Sequence, residues 1–256
     1  MPANVHASIQ PRWDGMPVAF GPRRSRLALT RGLILDLDDT LYPRERFVRS
    51  GFAAVANDLQ RRHGLPAGAV FKTLSRAFID GRTGREFQAV CDAFDLSQRE
   101  LPYMLRVFRA HRPSLWLPHE SAETLRRLRT DGWSLAILTN GLPSVQAAKI
   151  EALALAPMVD QVIYAEAIVR GGKPARAAFL EALSRLDLPA DRCVVVGDDP
   201  VNDVAGARNA GLRTVRLAQP HVVAGPGPDA DIVIHRIEQL PRVAPALVDR
   251  VTLDAA

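Results

Sequence analysis

Three short, predominantly apolar runs, each closing on a polar loop of different chemistry, limit what this chain can fold into. Leu33-Ile34-Leu35 ends in Asp36-Leu37-Asp38-Asp39-Thr40-Leu41, residues 133–138 end in Thr139-Asn140-Gly141, and Cys193-Val194-Val195-Val196 ends in Gly197-Asp198-Asp199. Runs this short and this apolar are strands covered on both faces, the pattern of a parallel sheet. Helical patterns fill the segments between them, and Arg213–Leu217 and residues 231–235 read as two further strands. The fold class that follows is α/β: a Rossmann-like, mostly parallel sheet with helices on both faces and right-handed crossovers.

In such sheets ligands bind beyond the carboxyl ends of the strands. Asp36 and Asp38 stand there, and strand alternation directs them to the same side while Asp39 turns away. A pair of carboxylates in different environments divides into a nucleophile or metal ligand and a proton-transfer group. Alone, the segment also fits an acidic turn.

The other loops add complementary groups. Thr139 supplies a hydroxyl and Asn140-Gly141 supplies turn amides, a small cradle for an anion ahead of a helix near Ser144. Gly171-Gly172-Lys173-Pro174 precedes a helix over residues 175–187, with Pro174 at its first position. Of the 33 basic residues only Lys72, Lys149 and Lys173 are lysines, so a lysine at this loop marks a place for a compact point charge. The loop 197–203 then brings a second acidic strand end. Hard cations such as Mg²⁺ take carboxylate oxygens beside substrate phosphates, and Asp36 and the backbone carbonyl of Asp38, with Asp198 or Asp199, form a site of that kind.

An Asp-x-Asp-x-Thr strand end, a Ser/Thr loop, a Lys and an acidic Gly-Asp loop, in this order, resemble the four motifs of the haloacid dehalogenase superfamily over about residues 32–240. The resemblance implies roles for the matching positions. Asp36 is the nucleophile that becomes an aspartyl phosphate; Asp38 protonates the leaving oxygen and then activates water. Thr139, with Asn140, binds the transferring phosphoryl group, Lys173 neutralises it, and Asp36, Asp38 and Asp198 hold Mg²⁺. Asp199, Asn202 and Asp203 are supporting residues, Asp203 standing behind the metal ligands and Asn202 ordering the loop. Dehalogenases of this superfamily carry a different residue at the position of Asp38, so the resemblance is to the phosphatase-like branch.

Between the first and second motifs the pattern turns helical, with Val48, Phe52, Val55 and Leu59 on one face. His63-Gly64-Leu65-Pro66 breaks this helix, and further helices are expected at Ala67–Ile79, residues 85–94 and residues 98–111. The resemblance makes residues 44–116 an inserted helical cap, the catalytic core comprising 30–43 and 117–256. Tyr42-Pro43 and Trp116-Leu117-Pro118 are its hinges, and Arg44, Arg46, Arg49 and Ser50 its candidate substrate contacts. Lys72 is the cap's single lysine, the group that phosphonate-cleaving relatives use for a Schiff base; its surroundings suit an ordinary amphipathic helix.

Residues 1–29, with four prolines and a cluster of arginines, read as a flexible arm without the apolar middle of a secretory signal. No apolar run approaches membrane length. Two cysteines make no disulfide framework, which favours a cytoplasmic setting. The net charge of +5 is scattered and lacks interleaved aromatics, so it favours small anionic substrates over nucleic acid. The expected function is Mg²⁺-dependent hydrolysis of a small organic phosphate, such as a sugar phosphate or nucleotide. A phosphomutase of the same fold, a phosphonate-cleaving enzyme and a non-catalytic phospho-switch are the alternatives.

Overall fold

The computed structural model describes residues 31–81, 84–219 and 225–248; the arm expected at 1–29 lies outside them. Strands β1 (Arg31–Leu35), β2 (Trp133–Thr139), β3 (Gln161–Tyr164), β4 (Cys193–Gly197), β5 (Arg213–Leu217) and β6 (Ile232–Ile234) form one sheet in the order β3-β2-β1-β4-β5-β6. Every neighbouring pair is parallel.

Side-chain alternation divides the sheet into two cores. Leu33, Leu35, Leu135, Ile137, Val194 and Val196 face one layer, where they meet Leu125 and Leu128 of α5 (His119–Thr130) and Leu240 and Ala244 of α10 (Leu240–Val248). Ile34, Ala136, Leu138, Cys193 and Val195 face the other, against Ala178, Phe179 and Ala182 of α8 (Arg176–Leu186) and Ala207 of α9 (Gly206–Asn209). A sheet covered on both sides needs apolar residues at consecutive positions, which is why its strands read as runs. On this second face, α7 (Ala165–Ile168) adds Ala165.

The chain runs from β1 outward to β2 and β3, then returns to the other side of β1 for β4. This reversal opens a crevice at the carboxyl ends of β1 and β4, where neighbouring loops diverge.

Between β1 and α5 lie four helices, α1 (Glu45–His63), α2 (Ala67–Ile79), α3 (Glu86–Ala93) and α4 (Leu101–Ala110). They bury Val48, Phe52, Val55, Leu59, Val70, Leu74, Val90 and Met104 in a cluster of their own. Gly51 permits the crossing of α1 and α4, because a Cβ there would run into the ring of Phe108. Where one helix is expected over 98–111, a 3₁₀ turn at Gln98–Glu100 precedes α4, with Pro102 in the first turn where its missing N–H costs nothing. Likewise α8 starts at Arg176 with Ala175 as N-cap, and Pro174 follows a cis peptide bond in the turn before it.

Candidate active site

The backbone ladder of β1 continues one residue past the strand, the Asp36 N–H donating to the Val196 carbonyl at 2.8 Å. Asp36 therefore sits fixed at the switch point, 8% exposed. Opposite it, the Lys173 ammonium is 2.5 Å from Asp36 Oδ1 and 2.6 Å from Asp203 Oδ1.

Asn140 explains how a loop lysine is held so firmly. The Lys173 N–H donates to Asn140 Oδ1 at 2.7 Å, and Asn140 Nδ2 donates to the Lys173 carbonyl at 2.9 Å. The Asn140 side chain is thereby committed at both ends to the lysine's backbone, which leaves its backbone amide as the group expected in the anion cradle. Gly172 makes the clamp possible, since a Cβ there would collide with Asn140 Oδ1.

Past β4, the chain enters a π-helical turn, Pro200–Ala205. Asp199 caps it, accepting the N–H groups of Val201 and Asn202 at 2.8 Å each, and takes Asn202 Nδ2 at 3.2 Å. The N–H of Asp199 in turn donates to Asp203 Oδ2 at 3.1 Å. Asp203 packs against Gly197, where a side chain would overlap its carboxylate. One carboxylate oxygen from each of Asp36, Asp198 and Asp203 lies within 4.8 Å of the others. Asp203 lies within this cluster, its Oδ1 held by the Lys173 ammonium and its Oδ2 by the Asp199 N–H.

This cluster sets three carboxylates against the single ammonium of Lys173. Burial, the neighbouring Asp203 and Asp39, and Asp199 together push the Asp198 carboxyl up to about 7. Asp36 is also raised, by burial above all, against the pull of Lys173; Lys173 itself is raised, the two carboxylates outweighing its burial. Buried carboxylates in surplus are costly unless a cation compensates them. The donor set, all oxygen with an excess of negative charge, fits a hard divalent ion.

Asp38 lies beside this cluster but belongs to a second network. Alternation does not bring the two carboxylates to common partners, because the strand ends at Leu35 and the chain turns through Asp39, whose φ is 58°. The Asp38 carboxylate is absent from the cation cluster among the described residues. Its Oδ1 accepts from Tyr42 Oη at 2.6 Å and Lys149 Nζ at 2.8 Å, and its Oδ2 accepts from Lys149 Nζ at 2.7 Å and Gln146 Nε2 at 3.1 Å. Burial acts to raise Asp38, but the charge and hydrogen bonds of Lys149, with those of Tyr42 and Gln146, prevail and lower it.

Lys149 and Gln146 were not singled out by sequence reasoning. Both belong to α6 (Pro143–Ala152), three residues apart and so on one face of the helix. The scarcity of lysine that marked Lys173 applies equally to Lys149 and was the available signal. Thr139 is buried at the end of β2 and accepts a hydrogen bond from Gln146 Nε2 at 3.0 Å. Gln146 also donates to the Asn140 carbonyl.

Three of the four candidate substrate contacts at the start of the insertion have local partners. Arg46 stacks on Trp116, 4.3 Å from the ring centroid, and reaches the Trp116 carbonyl at 3.3 Å. Arg49 lies 3.6 Å from Glu45 and over the ring of Phe71. Ser50 Oγ accepts from the N–H of Ser114 at 2.9 Å. Arg44 is exposed; its N–H donates to Asp39 Oδ1 at 2.8 Å, and its guanidinium makes no hydrogen bond or ion pair with a described residue.

Residues 30–211 match the family model of the haloacid dehalogenase-like hydrolases. The chain belongs to this family. Among curated relatives, a ribulose-1,5-bisphosphate 5-phosphatase of Halopiger xanaduensis is 32% identical over 207 residues, covering 73% of this chain and 84% of that protein. A glyceraldehyde 3-phosphate phosphatase of Methanocaldococcus jannaschii is 28% identical over 197 residues, with 74% and 85% covered. Among solved structures, the hydrolase YfnB of Bacillus subtilis, bound to magnesium, superposes with a TM-score of 0.61 at 21% identity over 84% of this chain and 98% of its own. A 2-haloacid dehalogenase of Pseudomonas syringae gives 0.59 at 28% identity over 85% and 99%. This haloacid dehalogenase-like hydrolase thus shares its fold over most of its length with proteins of differing activity, so fold alone does not assign one to it.

Proposed function

We propose that this protein is a phosphomonoester hydrolase that works through an aspartyl phosphate on Asp36. The observation that carries this reading is the provision of two separate carboxylate systems side by side. Asp36 is fixed at a cation-compatible cluster, and Asp38 is held apart by its own hydrogen-bond donors. A phosphate ester needs a proton on its alkoxide leaving group, whereas a halide does not, so the second system has a use in ester cleavage and none in dehalogenation.

Asp36 Oδ1 is engaged by Lys173, and Oδ2 takes no hydrogen bond from a described residue. Oδ2 attacks phosphorus; the bond to the leaving oxygen breaks and that oxygen takes a proton from Asp38. Asp38 then removes a proton from water as the water attacks the phosphoryl group and releases Asp36. Splitting hydrolysis in this way replaces one difficult displacement by two easier ones. Lys173 and the hydroxyl of Thr139 face the negative charge of the transferring group. Asp36, Asp198 and Asp203, with the backbone carbonyl of Asp38, would hold Mg²⁺, which supplies charge neutralisation when bound.

The substrate is a small organic phosphate, and sugar phosphates come first because the relatives named above act on them. Helices α1–α4 serve as a cap over the crevice, and Arg44 is the cap cation available to a second anionic group. No helix among the described residues is long and apolar enough to cross a membrane, and two free, buried cysteines fit a cytoplasmic setting. Phosphate release from a panel of sugar phosphates, nucleotides and phosphonates, with and without Mg²⁺, tests the reading. Mg²⁺-dependent turnover that disappears in Asp36→Asn supports it; no release from any compound, with stable phosphate incorporation at Asp36, overturns it in favour of a mutase or a switch.

A further inference from the structure

A lysine that is 4% exposed needs a reason, because burying an ammonium group costs more than burying an apolar side chain of the same length. Among the described residues Lys149 has one ionic partner, Asp38, and it lies over the ring of Phe47 of α1 at 4.3 Å from its centroid. Packing alone would be served better by Met or Leu at this position.

The geometry points to Lys149 as a positioning residue that fixes the Asp38 carboxylate in place for proton transfer. This rests on the phosphatase reading above. Gln146 and Lys149 rise from one face of α6 and reach the same carboxylate, while the Tyr42 hydroxyl meets it from the other side. A carboxylate offers about four acceptor positions, and Lys149 occupies one on each oxygen. Rotation of the Asp38 side chain would break both contacts together, so the lysine restrains the torsion more than a single-contact donor would. In the first displacement, as the Oδ2–phosphorus bond to Asp36 forms, the electron pair of the breaking bond passes to the leaving oxygen, which takes the proton of Asp38.

The consequence depends on the leaving group. An alkyl phosphate needs the proton delivered as its bond breaks; p-nitrophenyl phosphate expels a stable phenolate and needs it little. The experiment compares kcat/KM of the wild type, Lys149→Met, Lys149→Gln and Lys149→Arg on glycerol phosphate, fructose 1-phosphate and p-nitrophenyl phosphate with Mg²⁺, and repeats Lys149→Met in an Asp38→Asn background. Expected are a loss on the order of 10²-fold on the alkyl phosphates with only a few-fold loss on the aryl phosphate, partial recovery with arginine, and little further loss once Asp38 is asparagine. Equal losses on both substrate classes, or a full additional loss in the Asp38→Asn background, would overturn the assignment and leave Lys149 as scaffolding. Thermal unfolding identifies any variant that fails to fold, and Lys149→Arg then decides: parallel losses on both classes refute the role. A wild type that releases phosphate neither from these three compounds nor from the panel above, with stable phosphate incorporation at Asp36, would instead sink the phosphatase reading, and this inference with it.

Discussion

The strand-end crevice and the helical insertion solve opposite problems with the same twenty amino acids. At the crevice Asp36, Lys173 and Asp203 are buried and tied directly to one another. In the insertion the packed core is mainly aromatic and aliphatic, Phe52 meeting Phe78 and Phe87 edge to face, with the carboxylates of Asp58 and Glu86 at its margin, and Arg49–Glu45 and Arg76–Asp80 are exposed local pairs. Burying charges is expensive and apolar packing is not. The first region therefore gives up stability to hold a reactive geometry, while the second holds a shape and leaves its charged surface free to change.

Four measurements would break or sharpen this contrast. The largest effect belongs to Asp36→Asn: turnover falls by about 10⁴-fold or more, while the unfolding midpoint stays level or rises, because a buried carboxylate raised by its surroundings is replaced by a neutral isostere. A strongly destabilised Asp36→Asn protein would show that the cluster stabilises the fold after all. Phe52→Ala reverses the pattern, lowering stability by about 3–5 kcal/mol through the cavity it leaves, with kcat of the folded protein changed only a few-fold.

The third concerns pH. The carboxyl of Asp198 is raised to about 7 in the folded protein, above its ordinary value of 3.8. Ionisation therefore opposes folding: below 3.8 the group is protonated in both states and contributes nothing, the penalty grows as pH rises from about 3.8 to about 7, and it levels off above that, where both states are ionised. Without divalent cations, the unfolding midpoint should rise by a few degrees as pH falls from about 8 to about 5. Asp198→Asn should flatten that slope, and added Mg²⁺ should raise the midpoint most at the alkaline end; a slope unchanged in Asp198→Asn would remove Asp198 from the charge surplus. Smallest is Arg49→Ala, whose pair with Glu45 is half exposed on both sides; a stability change under about 0.5 kcal/mol is expected from urea unfolding.

The apolar runs of the sheet and the helical periodicity of α1 were legible because each reflects local geometry: two covered faces demand continuous apolar strands, and 3.6 residues per turn demand spaced ones. Asp36 and Lys173 were legible as groups at strand ends. The partners of Asp38 were not. Strand alternation was extended past Leu35, where the chain had already left the sheet to turn at Asp39. The turn context of Asn140 speaks for its backbone amide and is silent on its side chain, which spans to a loop 33 residues away.

What the sequence by itself determined is which chemical groups stand at the ends of which strands, since strand order along the chain and the apolar pattern fix them. Only the tertiary structure decided who meets whom: that Asp203 swings into the cluster on a π-turn while Asp199 is spent capping it, and that Lys149 crosses 111 residues of sequence to hold Asp38. The physical reason is that a side chain's type follows from its own position, whereas its partner depends on how separate segments stack, and a shift of one residue in a loop reassigns every contact it makes.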